Sequence, residues 1–267
     1  NKKVNGKQMV GYYSFNQNGK VEITNFVVNP LFHVYAGVES RYLVEINNGY
    51  RKAVLDVPAK NIPSIDLFQG YAVSEGNYLI FGNKPQWLRI ASQLLQTFQR
   101  CVEIKFLGWQ QAGFFAWVDK VYVPGSGFAN LDNWGIIKHE HENYLIPASC
   151  EAYRQLQRTG DDPYEQDRVL TYKPSGINFS KWAELLHQVY KEKGPVALAY
   201  TVLTLFRDIV FDVDNNCPHL YFFGEPSSGK SKCAESITAV FYFNRPAYNL
   251  NSGTDTAFFR YMAAFQN

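Results

Sequence analysis

Charge is scarce in this sequence and nearly cancels. Lys and Arg number 26 against 24 Asp and Glu, charged residues are 19% of the 267, and the net charge is +2. No overall excess of one sign is available to attract a polyanion, so any nucleic-acid contact must rest on a local basic patch. Cysteine is scarce too. Cys101, Cys150, Cys217 and Cys233 are widely spaced and never form C-x-x-C, which disfavours a disulfide framework or a zinc ribbon and reads as reduced thiols in a cytosolic protein. No apolar run is long enough to span a bilayer, no signal-peptide pattern opens the chain, and neither repeats nor low-complexity segments occur. The reading is a cytoplasmic chain without a membrane partner. It begins at Asn1 without an initiator methionine, and is expected to be a piece of a longer protein.

Apolar and aromatic residues are plentiful, at 46% and 16%, enough for about two domains of roughly 150 residues each. Residues 1–150 read as an α+β accessory domain. "GYYSF" (11–15) and "KVEITNFVV" (20–28) suggest strands around an "NQNG" turn; "RYLVEI" and "YRKAVLDV" flank "NNG" (47–49), a hairpin signal. "NIPSIDLFQGYAV" suggests a short helix with Pro63 early in it. "KPQWLRIASQLLQTFQR" (84–100) is a helix by its apolar spacing and early Pro85. "CVEIKFLGW" (101–109), "GFFAWVDKVYV" (113–123) and "ENYLIPA" (142–148) read as further strands. Residues 151–177 read as a linker. Residues 178–267 read as two lead-in helices, "NFSKWAELLHQVYKEK" with Ser180 as N-cap and Gly194 and Pro195 at its end, and a buried "VALAYTVLTLFRDIVF", followed by a strand, a loop and a helix.

That last element carries chemistry. "GEPSSGKS" (224–231) satisfies G-x-x-x-x-G-K-[ST]. Gly224, Glu225, Pro226, Ser227, Ser228 and Gly229 would wrap the β-phosphate of ATP with backbone N–H groups. Lys230 would reach the β- and γ-phosphates as the catalytic cation, and Ser231 would hold magnesium. "HLYFF" before the loop is uncharged, as a buried parallel strand requires. "KCAESITAVF" after it has helical spacing, and its positive dipole end would face the anion. A second acidic motif is missing. Residues 232–267 contain only Glu235 and Asp255; the first is on the helix, and the second has no apolar strand before it. The expected fold class is therefore an α+β domain followed by the beginning of an α/β P-loop NTPase core of the RecA/AAA+ kind, cut short.

The order "VALAYTVLTLF", "HLYFFGEPSSGKSKCAESITAVF", "NLNSGTDTAFFRYMAAFQN" resembles the ATPase module of replication proteins from phages, plasmids and integrated mobile elements. These are primase-associated, helicase-like P-loop proteins, long catalogued as a domain of unknown function. In that family an apolar helix precedes the loop and a T-x-x-A-x-x-R segment follows it, matched here by Thr254, Ala257 and Arg260. "CVEIKFLGWQQAGFFAW" resembles its front domain more softly. The resemblance implies a hexameric, DNA-dependent ATPase acting on single-stranded or forked DNA beside a primase, with ATP and magnesium as cofactors. Without the second acidic motif, this chain alone is expected to hydrolyse little.

Two alternatives come from other classes. One is a non-enzymatic nucleic-acid- or protein-binding module with an incomplete P-loop domain. The other is a small-molecule kinase, for whose acceptor lid and base residues 232–267 leave little room. Weaker signals have bland readings. His139 and His141 in "KHEHEN" would share a strand face but make an incomplete metal site. Asp161, Asp162, Glu165 and Asp167 read as a solvated loop. Trp109, Phe114, Phe115 and Trp117 could stack on bases but read mainly as core. Lys2, Lys3, Lys7, Arg51 and Lys52 read as surface charge.

Overall fold

The computed structural model describes residues 2–4, 7–17, 19–37, 39–154, 164–241, 253–263 and 265–266. It divides into two compact units, Asn1–Lys105 with Asp132–Thr159, and Phe106–Leu131 with Gly160–Asn267. The expected single domain over 1–150 is therefore interrupted. "CVEIKFLGW" is two strands in two sheets: Gln99–Glu103 pairs in parallel with Val27–Tyr35 and with Glu142–Leu145, whereas Leu107–Gln110 pairs with Phe114–Ala116. Ile104 ends the first run by donating its N–H to Leu145.

The first unit is built on a six-stranded mixed sheet, in the order Ile136–His139, Glu142–Leu145, Gln99–Glu103, Val27–Tyr35, Ser40–Asn47, Lys52–Pro58. The last hairpin turns where Asn47 and Asn48 predict it. The Asn47 side chain accepts the Gly49 N–H, and that of Asn48 accepts those of Tyr50 and Arg51. The run read as one strand over 20–28 breaks at Ile23–Phe26, all buried. There the Thr24 side chain accepts the Tyr12 N–H and that of Asn25 the Leu79 N–H, beside backbone bonds from Ile23 to Tyr12 and from Asn25 to Leu79.

Two helices pack on this sheet. Ile65–Ser74 starts after Pro63, with Ser64 as its N-cap. Lys84–Leu95 opens on a capping box of Asn83 and Gln86 and stops before residue 100, because Gln99 onward joins the sheet. Its Trp87 is fully buried against Phe68, ring centroids 4.6 Å apart, with the indole N–H bonded to the Ile62 carbonyl.

A partly buried ion cluster ties the sheet to the helix Glu151–Arg154. Arg41 meets Asp56 at 3.0 Å and Glu103 at 2.5 Å, and bonds Tyr153, whose hydroxyl donates to Asp56. Burial works against the Arg41 charge, but Tyr153, Asp56 and Glu103 outweigh it and keep the guanidinium more firmly protonated than usual. Burial raises the Asp56 carboxyl above its ordinary range despite Arg41 and Tyr153. Nearby, burial pushes the fully enclosed Cys101 thiol up to about 12. Only thiolate reacts readily with alkylating agents. Under native conditions at neutral pH, iodoacetamide is therefore expected to spare Cys101 and modify the half-exposed Cys217 first. Peptide mass mapping reads the order, and early Cys101 labelling would contradict it.

The second unit combines an antiparallel meander with helices. Leu107–Gln110, Phe114–Ala116, Lys120–Val123 and Gly127–Asn130 are neighbours in order, and Phe265–Gln266 adds in parallel beside Leu107–Gln110. Part of the expected linker folds here: Glu165–Arg168 is helical, and Leu170 is fully buried and accepts the Val118 N–H. Residues 155–163, including Asp161 and Asp162, lie outside the described residues.

Phe179–Tyr190 is capped by Asn178, not Ser180: the Asn178 side chain accepts the Lys181 N–H at 2.8 Å. Gly194 and Pro195 do not end that helix but open the next, Lys193–Leu205. The expected single apolar helix breaks at Phe206, and Arg207–Asp214 follows. It is also less buried than expected; Val196, Leu205 and Ile209 are exposed. Gly194 lets the two helices touch, because a Cβ there would stand 2.8 Å from the Leu186 carbonyl and 3.0 Å from the His187 Cα. Both obstacles are backbone. Gly194→Ala is expected to destabilise the second unit by about 1–3 kcal/mol, read from the urea midpoint by circular dichroism. An unchanged midpoint would contradict the close packing.

Candidate nucleotide-phosphate site

The segment before the loop alternates as a strand does. Leu220 and Phe222 pack on a cluster formed by Leu186, Ala197, Cys233 and Ile237. Tyr221 and Phe223 point the other way, 83% and 88% exposed. The expected strand is therefore extended but unladdered among the described residues. A parallel strand exists only with a neighbour to bond, and the described sheets leave this segment without one.

The loop itself bends sharply. Gly224 has φ +149°, Ser227 +63° and Gly229 +83°. Ser227 is the costly one, since a side chain in the left-handed region is strained. At Gly229 a Cβ would find open space, so the backbone angle and not crowding calls for glycine. Gly229 is the N-cap of the helix Lys230–Thr238, and no side chain caps that end. The first-turn N–H groups, including those of Lys230, Ser231 and Lys232, lack intrahelical acceptors and face outward with the positive end of the dipole.

Lys230 folds back over the loop. Its ammonium donates to the Gly224 carbonyl at 2.8 Å, the Glu225 carbonyl at 2.5 Å and the Ser228 hydroxyl at 3.1 Å. All three donors are thus used on the loop, which holds the bend and keeps the cation at the helix mouth. Glu225, Pro226, Ser227, Ser228 and Ser231 are exposed, and Gly229 and Lys230 are half-buried. The arrangement presents one cation, a ring of exposed backbone and three serine hydroxyls, that of Ser228 bonded to Lys230. That donor set suits a phosphate chain, with Ser231 one residue beyond Lys230 for a metal ion.

The helix carrying Lys230 is anchored from below by Cys233 and Ile237, both buried. Tyr190 reaches Ser236 at 3.4 Å. On its outer face Glu235 pairs with Lys232 at 2.7 Å, so this acid is engaged away from the loop. Asp255 opens the helix Asp255–Ala263, and the Thr254 hydroxyl accepts the Ala257 N–H at 3.2 Å. Two members of the T-x-x-A-x-x-R segment thus meet as a helix cap. The Arg260 side chain, and residues 242–252 before it, lie outside the described residues.

The weaker candidates separate. His139 ends the strand Ile136–His139 and His141 lies in the turn, with Glu140 at φ +52°, so they do not alternate on one strand as expected. Among the described residues no three His, Cys, Asp or Glu side chains group as a metal site. Phe114 and Phe115 are buried, while Trp109 is 40% exposed. Lys52 pairs with Glu45 at 3.1 Å. The side chains of Lys2, Lys3 and Lys7 lie outside the described residues. No helix of the described residues is long and apolar enough to cross a membrane. Tyr172, Lys173, Phe179 and Trp182, which belong to no sequence motif, line a pocket with Trp117. The Phe179–Trp182 spacing on one helix was the only local signal for it. Comparison with protein-family models, with curated proteins and with solved structures finds no match.

Proposed function

We propose that residues 224–231 bind the phosphates of ATP, and that the chain is the front part of a primase-associated replication ATPase or helicase of a mobile element. The observation carrying this reading is the loop geometry: a bend with three positive φ angles ends on an uncapped helix, with the Lys230 ammonium at its mouth. In this reading Lys230 exchanges one or more loop contacts for β- and γ-phosphate oxygens. The first-turn N–H groups take the remaining charge, and Ser231 ligates magnesium. Tyr221 and Phe223 become buried when the strand they flank gains its parallel neighbour, which supplies the acid that these residues lack. The protein works in the cytoplasm as a hexamer on single-stranded or forked DNA, beside a primase.

The test is ATP turnover by the full-length natural protein, with and without single-stranded DNA. DNA-stimulated hydrolysis is expected. Absence of turnover in both conditions, with intact fold, overturns the motor reading. A second reading then gains: a non-enzymatic binding module that holds nucleotide without cleaving it. The unladdered 219–223 segment favours it for this chain taken by itself.

A further inference from the structure

Within the second unit, a pocket of about 620 Å³ opens between the meander and the helix Phe179–Tyr190. Its size is that of a ligand site. Five aromatic residues, Trp117, Tyr172, Phe179, Trp182 and Phe241, share its wall with Lys173. These rings do not stack tightly on one another, although Trp117 also packs on Phe115 and Tyr172 on Phe128, centroids 4.4 and 4.5 Å apart. Trp117 meets Tyr172 edge-on, centroids 5.2 Å apart at 64°, and Phe179 meets Trp182 at 5.4 Å and 38°. Phe179 is 50% exposed.

The wall is also fixed in place. The Trp117 indole N–H is bonded to the Phe241 carbonyl at 2.8 Å, and the Tyr172 N–H to Asp119 at 2.8 Å. Asn178 caps the helix directly before Phe179. Rings held this way lose little freedom when another ring enters. One cationic residue, Lys173, lines the pocket, and the Lys120 ammonium stands 5.8 Å from the Tyr172 ring centre. Asp119 has its Oδ1 engaged by Tyr172, and Lys181 is bonded to Glu184.

We infer that this pocket binds an unpaired base of a single-stranded nucleic acid, stacked on Trp117, Phe179 and Trp182, with Lys173 toward a flanking phosphate. Fixed aromatic faces beside cations are how proteins grip single strands without reading sequence. A duplex hides the faces that the pocket would stack on. The inference rests on the nucleic-acid part of the function proposed above and names its contact surface. Ala239, Val240 and Phe241 also line the pocket, and they follow directly from the helix that begins at Lys230. The base and the phosphates therefore meet opposite ends of one nine-residue helix, about 13 Å long.

The test is fluorescence anisotropy of the whole chain with a fluorescein-labelled twelve-residue oligothymidylate, beside calorimetric titration with ATP. Phe179→Ala and Lys173→Ala are expected to weaken oligonucleotide binding, the former by about 5- to 100-fold. Trp109→Ala, exposed on the meander away from the pocket, is expected to leave it unchanged. Far-ultraviolet circular dichroism confirms the fold of each variant. Wild-type affinity in Phe179→Ala and Lys173→Ala overturns the inference. So does absence of oligonucleotide binding by the wild type, equal binding of a duplex of the same length, or equal binding of thymidine monophosphate. The two readings fail separately. Loss of oligonucleotide binding in Phe179→Ala without any ATP binding by the wild type sinks the ATPase and keeps the pocket; unchanged oligonucleotide binding with normal ATP binding does the reverse.

Discussion

Lys230→Ala is expected to weaken magnesium-ATP binding by about 10- to 100-fold, the effect of losing a charge-assisted contact to phosphate, and to abolish turnover in the full-length protein. The variant removes two things at once. It deletes the cation, and it releases the Gly224, Glu225 and Ser228 oxygens that the ammonium holds. Lys230→Arg separates them. It keeps the charge but replaces a compact ammonium with a planar fork, so a partial recovery of affinity without turnover is expected. Lys230 is outside the buried cluster beneath its helix, so both variants are expected to unfold at the wild-type urea concentration. Isothermal titration calorimetry at fixed salt reads the affinities. Wild-type turnover in Lys230→Ala would remove the phosphate role.

Arg41→Ala is expected to cost the first unit about 2–3 kcal/mol, because it leaves two partly buried carboxylates without their cation. Domains have only about 5–15 kcal/mol to lose. The side chains of Arg41, Asp56 and Glu103 are 18%, 30% and 11% exposed, so solvent screens the cluster only in part. One Arg41 nitrogen and one Asp56 oxygen are already buried without a hydrogen-bond partner in the structure, so little remains to compensate. The sign of the pH dependence follows. Burial already raises the Asp56 pKa, and loss of Arg41 raises it further. Protonation then relieves the variant, so its deficit is expected to narrow as pH falls from about 7 toward 5. Joint replacement, Arg41→Met with Asp56→Asn and Glu103→Gln, is expected to restore most of the loss. Urea denaturation at both pH values measures this. A deficit below about 1 kcal/mol at neutral pH would show that the cluster is solvated.

Local signals were legible where the deciding chemistry is local. The Asn47–Asn48–Gly49 turn uses its own side chains, and the Asn83–Gln86 capping box with Pro85 writes the start of its helix into four residues. The GEPSSGKS bend and the helix after it are legible for the same reason. Sheet membership was not legible. Nothing within "CVEIKFLGW" says that Cys101 pairs beside Val34 while Trp109 pairs with Phe115; partners distant in sequence decide it. The break at Phe206 coincides with the charged pair Arg207–Asp208, a signal outweighed in the sequence by the apolar residues on either side. The pocket was hidden because Trp117 and Trp182 come from a strand end and a helix far apart in sequence, and hydrophobic pattern alone reads both as core.

A phosphate grip by residues 224–231 has a signature along the nucleotide series. Calorimetric titration of the wild-type chain with ATP, ADP, AMP and adenosine, each with and without magnesium, reads it. ATP and ADP are expected to bind, AMP and adenosine far more weakly, and magnesium is expected to strengthen only the first two. Equal affinity along the series, or no binding of ATP by the folded chain, would contradict the phosphate grip.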